Sequence, residues 1–170
     1  MRRFPDPRLL VVASACIFAG CRSPSQESTT TAEAAWARYE ASTGLFSFAY
    51  PPDWRIVLVG DVANIVKEDA GAAFAVSARR PDVEVGDRLA ELIERPFAGK
   101  TPTSELKPIT YNGWSGYRRT WGESDGKEWM GAIAYRGGVC AFVSVNAKSE
   151  AIATARPIFD RLVESLTLAD

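Results

Sequence analysis

Apolar positions along this chain recur with two periods, and the change from one to the other lays out the elements. Phe46, Phe48 and Tyr50 alternate with smaller residues, which marks a strand face over residues 45–50. Pro51-Pro52-Asp53 breaks that run, and Trp54 opens a second one over residues 54–59. Gly60-Asp61 turns the chain into strands over 62–67 and 72–79, joined through Asp69-Ala70-Gly71. These four strands are expected to form one antiparallel meander. Pro81 ends it, and Asp87 is placed to cap a helix over 87–95 with Leu89, Leu92 and Ile93 on one stripe. Pro96 closes that helix, and 99–103 reads as a loop.

Period two returns after Leu106. Strands are expected over 106–111, 114–121, 128–135 and 139–146, separated by Asn112-Gly113, Asp125-Gly126 and Gly137-Gly138. Ser149 then caps a last helix whose Ile152, Ala155, Phe159, Leu162, Val163 and Leu166 form an apolar stripe. Pro157 lies inside that stripe and predicts a kink. A further short helix is expected over 33–39, with Trp36 and Tyr39 three apart on one side.

Several strands are apolar at both parities, for instance residues 131–135 and 139–145, so both faces of the sheet are expected to be covered. The fold class is α+β: an α-β-α sandwich with a central antiparallel sheet of seven or eight strands. The alternative is an eight-stranded lipocalin-like barrel. It requires cleaner in-out alternation and no helix between its fourth and fifth strands.

The first thirty-two residues follow neither period. Residues 1–20 have a basic start, an apolar run and a small-residue end, the layout of a secretory leader. The apolar run of ten residues spans about 15 Å as a helix, too short to cross a bilayer. Phe18-Ala19-Gly20-Cys21 resembles the lipobox of bacterial lipoproteins, in which the cysteine becomes the acylated N-terminus; Phe18 stands where leucine is usual. Residues 21–32, rich in Ser and Thr, read as a flexible tether with an r.m.s. reach of about 20 Å. Residues 33–170 are expected to form one domain.

Charge and composition narrow the chemistry. The net charge of -1 carries no basic footprint, and no nucleic-acid partner is expected. The chain has no histidine, which removes the commonest general base and metal ligand. No metal or other cofactor is expected, and no catalytic set is assigned. Gly113-Trp114-Ser115-Gly116-Tyr117 lacks the spacing of a nucleophile elbow. Glu68-Asp69 and Glu123-Ser124-Asp125 are turn carboxylates without the spacing of a calcium loop. With Cys21 acylated, Cys140 has no disulfide partner and reads as a small core residue.

Candidate contact residues come from two other patterns. Neighbours on a strand point to opposite faces, so Arg79-Arg80 and Arg118-Arg119 each send one guanidinium to each side of the sheet. There the charge needs an ion-pair partner, or serves an anionic contact site. Trp114, Trp121 and Trp129 are expected to cluster across neighbouring strands. Arg79, Arg118, Trp114, Trp121 and Trp129 are therefore the candidate binding surface, and Cys21 the candidate lipid-attachment site.

Residues 46–54 resemble the aromatic-rich strand and Tyr-Pro-x-x-Trp corner of the PsbP-like family, named for an extrinsic protein of photosystem II. Asn112-Gly113-Trp114-Ser115-Gly116-Tyr117-Arg118 resembles its central hairpin, and Pro157-Ile158-Phe159 with Glu164-Ser165-Leu166 its closing helix. The resemblance implies the α-β-α sandwich. It implies no catalytic residue, since proteins of this fold include photosystem accessory proteins, a nuclear Ran-binding import factor and bacterial lipoproteins.

The expected function is that of a membrane-anchored extracytoplasmic lipoprotein, a non-catalytic binding or assembly-accessory module of the cell envelope. Its partners would be the membrane, through the lipid, and another envelope protein. The alternative is a small-ligand carrier, which needs an apolar pocket beside the Trp-bearing strands. A histidine-free enzyme is the third possibility.

Overall fold

Three nine-residue strands, β8 (Trp114–Gly122), β9 (Glu128–Arg136) and β10 (Val139–Ala147), form the middle of the molecule. The structure is a computed structural model and describes residues 35–170; the expected leader, Cys21 and the tether lie outside the described residues. Asn112 and Gly113 both have positive φ, at 46° and 79°, the backbone of a type I′ turn that keeps β8 in register with the preceding strand, β7 (Lys107–Tyr111). The meander continues on the other side of β10 through β5 (Ala72–Arg79), β4 (Val62–Val66) and β3 (Arg55–Val59).

The sheet order is β3-β4-β5-β10-β9-β8, with β7 and the two-residue β6 (Thr101–Pro102) both on the outer edge of β8. All eight strands are antiparallel to their neighbours, and the sheet stays open rather than closing into a barrel. Two helices pack on it. The four-residue α1 (Leu89–Leu92) lies on one face, against β8 and β9, and the fourteen-residue α2 (Ile152–Ser165) lies on the other.

A second sheet stands beside α2. Here β2 (Phe46–Tyr50) is flanked by β1 (Ala37–Glu40) and β11 (Thr167–Leu168). Two expectations are corrected by it. The first strand does not begin the meander, because Pro51-Pro52 turns the chain out of the sheet and Phe46 and Phe48 are buried in the α2-side core instead. Residues 37–40, expected as part of a helix, are a strand. Tyr39 pairs with Phe48 across β1 and β2 with ring centroids 5.1 Å apart, and this cross-strand packing outweighs local helix preference.

The middle helix is also shorter than expected. A 3-10 turn at Gly86–Arg88 precedes α1, and another at Arg95–Phe97 follows it. Asp87 makes no capping bond; the Glu84 carboxylate accepts from the backbone N–H groups of Gly86 at 2.8 Å and Val85 at 3.1 Å. Pro96 sits in the second 3-10 turn, where its missing N–H costs little. Ser149 likewise caps nothing. It belongs to a 3-10 turn, Ser149–Ala151, and its hydroxyl donates to the Gly126 carbonyl. The helix α2 runs without a break through Pro157. Residues 99–103 carry β6 within the expected loop.

The buried side chains form two cores, one on each face. On the α2 side, Phe48, Phe74, Trp114, Phe159 and Leu162 belong to a cluster reaching from the small sheet to β4. On the α1 side, Val85, Leu89, Ile93, Phe97, Trp121 and Ile133 form a smaller one. Gly131 makes the second possible, since a Cβ there would lie 2.7 Å from the Phe97 ring. Without it Phe97 settles onto the sheet and stacks on Trp121 at a centroid distance of 3.8 Å.

Candidate functional site

The two arginine doublets resolve into four different situations. Arg118 points to the α2 side and lies 2.9 Å from Asp160 of that helix. Arg119 points to the α1 side, 2.6 Å from Glu94, and also donates to the Ser104 carbonyl. Arg80, beyond the end of β5, donates to the carbonyls of Gly137 and Asp170, each at 2.7 Å. Arg79 has no hydrogen bond or ion pair with any described residue, and its side chain is exposed at the end of β5. Three of the four charges are therefore structural.

The tryptophans do not form one cluster. Trp114 and Trp121 are seven residues apart on one strand, an odd number, and face opposite sides. Trp114 is fully buried in the α2-side core and its indole N–H donates to the Leu166 carbonyl at 2.8 Å. Trp121 and Trp129 are cross-strand partners on the α1 side, where Phe97 fills the space beside them. Both indole N–H groups are held by carboxylates: Trp121 donates to Glu94 at 3.2 Å and Trp129 to Glu123 at 3.0 Å. Lys100 pairs with Glu123 while lying 4.5 Å above the Trp129 ring. The Lys100 contact, followed by the Trp129 donor, holds the Glu123 carboxyl below its usual range. Among the described residues no three carboxylate or thiol groups converge to hold a metal ion.

A more apolar open space lies at the other end of β9 and β10. A recess of about 400 Å³ has Leu92 of α1 and the following Arg95 and Pro96 as one wall, and the sheet as its floor. Ile133, Cys140, Phe142 and Ser77 line that floor, with Arg79 and Asp61 at the rim. Arg79 and Cys140 are register partners across β5 and β10. Burial pushes the Cys140 thiol up from its ordinary value, and the positive charge of Arg79 only partly opposes this. The thiol is thus protonated and weakly nucleophilic at neutral pH. Arg95 is already engaged by Glu91 at 2.6 Å.

Beyond the recess the α1 side of β5, β4 and β3 carries no helix. Val62, Asn64, Ala75 and Ser77 lie half-buried there, and the edge strand β3 presents Val57 and Val59. Leu58 is 57% exposed and Val59 65%, unusual for apolar residues in consecutive positions. A broader depression of about 860 Å³ between the Pro51–Trp54 corner and the start of α2 is bordered by charges of both signs, Asp53, Lys67, Glu68, Lys148 and Glu150.

The element order, the open eight-stranded sheet and the placing of α2 match solved structures of very different sequence. Cyanobacterial PsbP (CyanoP) from Synechocystis superposes with a TM-score of 0.60 at 14% identity, over 92% of this chain and 98% of that one. This is the PsbP fold. LpqN of Mycobacterium tuberculosis, described as involved in cell envelope biogenesis, shares the PsbP fold at a TM-score of 0.55 and 12% identity, over 80% of this chain and 91% of its own. The yeast Ran-binding protein Mog1p is a looser likeness, with a TM-score of 0.46 at 11% identity over 80% of this chain and 96% of that one. No family model matches the sequence, and no curated protein does. No described helix is long and apolar enough to cross a membrane.

Of the five surface candidates, Arg79 reaches the recess beneath α1, and Arg118 borders only a small one of about 90 Å³ on the opposite face. Trp121 and Trp129 meet as a filled pair, and Trp114 and Arg118 serve the opposite face. Sequence reasoning missed Asp61, Leu92, Arg95 and Phe142 as recess residues, since they come from four separate segments and meet only in the folded sheet. The unshielded apolar triplet at 57–59 did carry a signal, being apolar at both parities in a strand next to a turn.

Proposed function

We propose that the protein is a lipid-anchored, extracytoplasmic accessory module, tethered through Cys21, that binds another envelope component without catalysing a reaction. The observation that carries this is the uncovered edge of the sheet at β3, where an unpaired strand edge presents Val57 and Val59 on the α1 side and Leu58 on the other to solvent. Such an edge offers backbone donors and acceptors together with apolar area, the means by which one protein adds a strand to another. The lipobox-like Phe18-Ala19-Gly20-Cys21 supports the anchor, and the envelope role printed for LpqN, which shares the fold, is in keeping with the location.

Two measurements test it. Radiolabelled palmitate should enter the wild-type chain and not Cys21→Ser; equal labelling of both removes the anchor. A photoreactive side chain at Val59 should capture a discrete partner in the native envelope, while one at Lys107 on the far edge of the sheet should not. Matching products from both positions would remove the docking edge.

A second reading, a carrier for a small ligand, is favoured by the recess beneath α1 and by the unpaired charge of Arg79 on its rim. This recess is not beside the Trp121–Trp129 pair, where Phe97 leaves no room, but further along the same strands.

A further inference from the structure

We infer that the recess beneath α1 binds a small organic anion, a phosphate- or carboxylate-bearing molecule with an apolar body, whose charge rests on Arg79. The inference deepens the carrier reading and rests on it; it is independent of the lipid anchor.

The comparison among the four doublet arginines is what singles out Arg79. Arg118 and Arg119 each have a carboxylate within 3 Å, and Arg80 is held by two carbonyls. Arg95, on the recess wall, is held by Glu91, which it shares with Arg88. Arg79 stands on the same kind of strand with its five donors unanswered. Asp61 shares the rim, yet the two form no ion pair, so the guanidinium remains available and Asp61 sets a local opposing field.

The walls define the rest of the ligand. Leu92, Pro96, Ile133 and Phe142 give an apolar lining, against which a hydrocarbon or aromatic body loses its water. A volume of about 400 Å³ is near the small end of ligand pockets, which run from about 300 to 1,000 Å³. An apolar wall also lowers the local dielectric, which strengthens a single charge-assisted contact at the rim. Arg79 offers a planar fork suited to either a phosphate or a carboxylate. Neither a long lipid chain nor a polymer fits wholly inside such a space; a compact molecule with one anionic end does.

Cys140 supplies a built-in reporter, since its thiol lines the floor directly across from Arg79. The test uses the full-length chain with Cys16→Ser and Cys21→Ser, so that Cys140 is its one thiol and no lipid is attached. Alkylation by N-ethylmaleimide is followed by mass spectrometry on residues 137–148. Phenyl phosphate and phenylacetate are the anionic probes, and phenyltrimethylammonium offers the same ring with the opposite charge.

At least one anionic probe should slow alkylation saturably, while the cation leaves the rate unchanged. Arg79→Leu should raise the half-protecting concentration about tenfold, the loss of one charge-assisted hydrogen bond. Arg79→Lys should retain most of the protection, and Asp61→Asn should lower the half-protecting concentration. Arg79 is exposed, so these variants keep the fold, which thermal melts verify. The relative strength of the two anions then assigns phosphate or carboxylate. Equal protection by anion and cation, no protection by either anion, or an unchanged response in Arg79→Leu overturns the assignment. Palmitate labelling is unaffected by any of these outcomes, so the two proposals fail separately.

Discussion

Along β10, Val139, Ala141, Val143, Val145 and Ala147 face α2, while Cys140, Phe142, Ser144 and Asn146 face the other way. The first set is fully buried and the second half-buried, although both belong to one strand. The difference comes from what lies above. As a helix of fourteen residues, α2 is about 21 Å long, enough to cross about four strands at their usual spacing, and the small sheet extends its cover. With four residues, α1 is about 6 Å long, and it packs chiefly on β8 and β9. An apolar pattern states which residues want cover; the length of the covering element decides which receive it. The uncovered remainder is where the recess and the apolar edge are found.

The sharpest test of this contrast is a pair of large truncations. Trp54→Ala, on the α2 side against Phe74, should cost about 3 to 5 kcal/mol in denaturant melts. Phe97→Ala on the α1 side should cost about 2 to 4 kcal/mol, because the short cover above it can settle into the space. A larger loss at Phe97 than at Trp54 would break the comparison. Next in size, Glu94→Ala strips both Arg119 and the Trp121 indole N–H of their shared acceptor. With about a third of the pair's surface wet, the expected loss is about 1 kcal/mol by the same melts. The smallest effect is expected at Val59→Lys, within about 0.5 kcal/mol, since that side chain is mostly exposed and the lysine stem can keep its contacts. A loss beyond 1 kcal/mol there would mean that the edge is packed rather than open.

Much of this architecture was legible before folding. The strands expected over 72–79, 106–111 and 114–121 were marked by alternation and by Asn112-Gly113, and the α2 stripe from Ile152 to Leu166 was marked by its helical period. What local patterns could not show was pairing over long distance. Residues 37–40 carry helix-compatible spacing, yet Tyr39 finds Phe48 and becomes strand. The Asp87 cap failed because Glu84, three residues earlier, supplies the acceptor through a turn. The same holds for the site. Alternation correctly sent Arg118 and Arg119 to opposite faces, whereas the expected cluster of Trp114 with Trp121 overlooked that their odd spacing on one strand separates them. That Arg79, of the four doublet arginines, has no partner among the described residues depends on where Glu94, Asp160 and the Gly137 carbonyl arrive in space, which no single segment encodes.

The pairing of Ser47 with Thr167 has a consequence in time as well as in space. Their hydroxyls meet at 2.5 Å across 120 residues of chain, so the small sheet cannot close until β11 is in place. Contacts of such long separation form late. A chain that emerges from its N-terminus holds Phe46 and Phe48 against an incomplete partner until β11 arrives, so this seam is among the last parts of the fold to close.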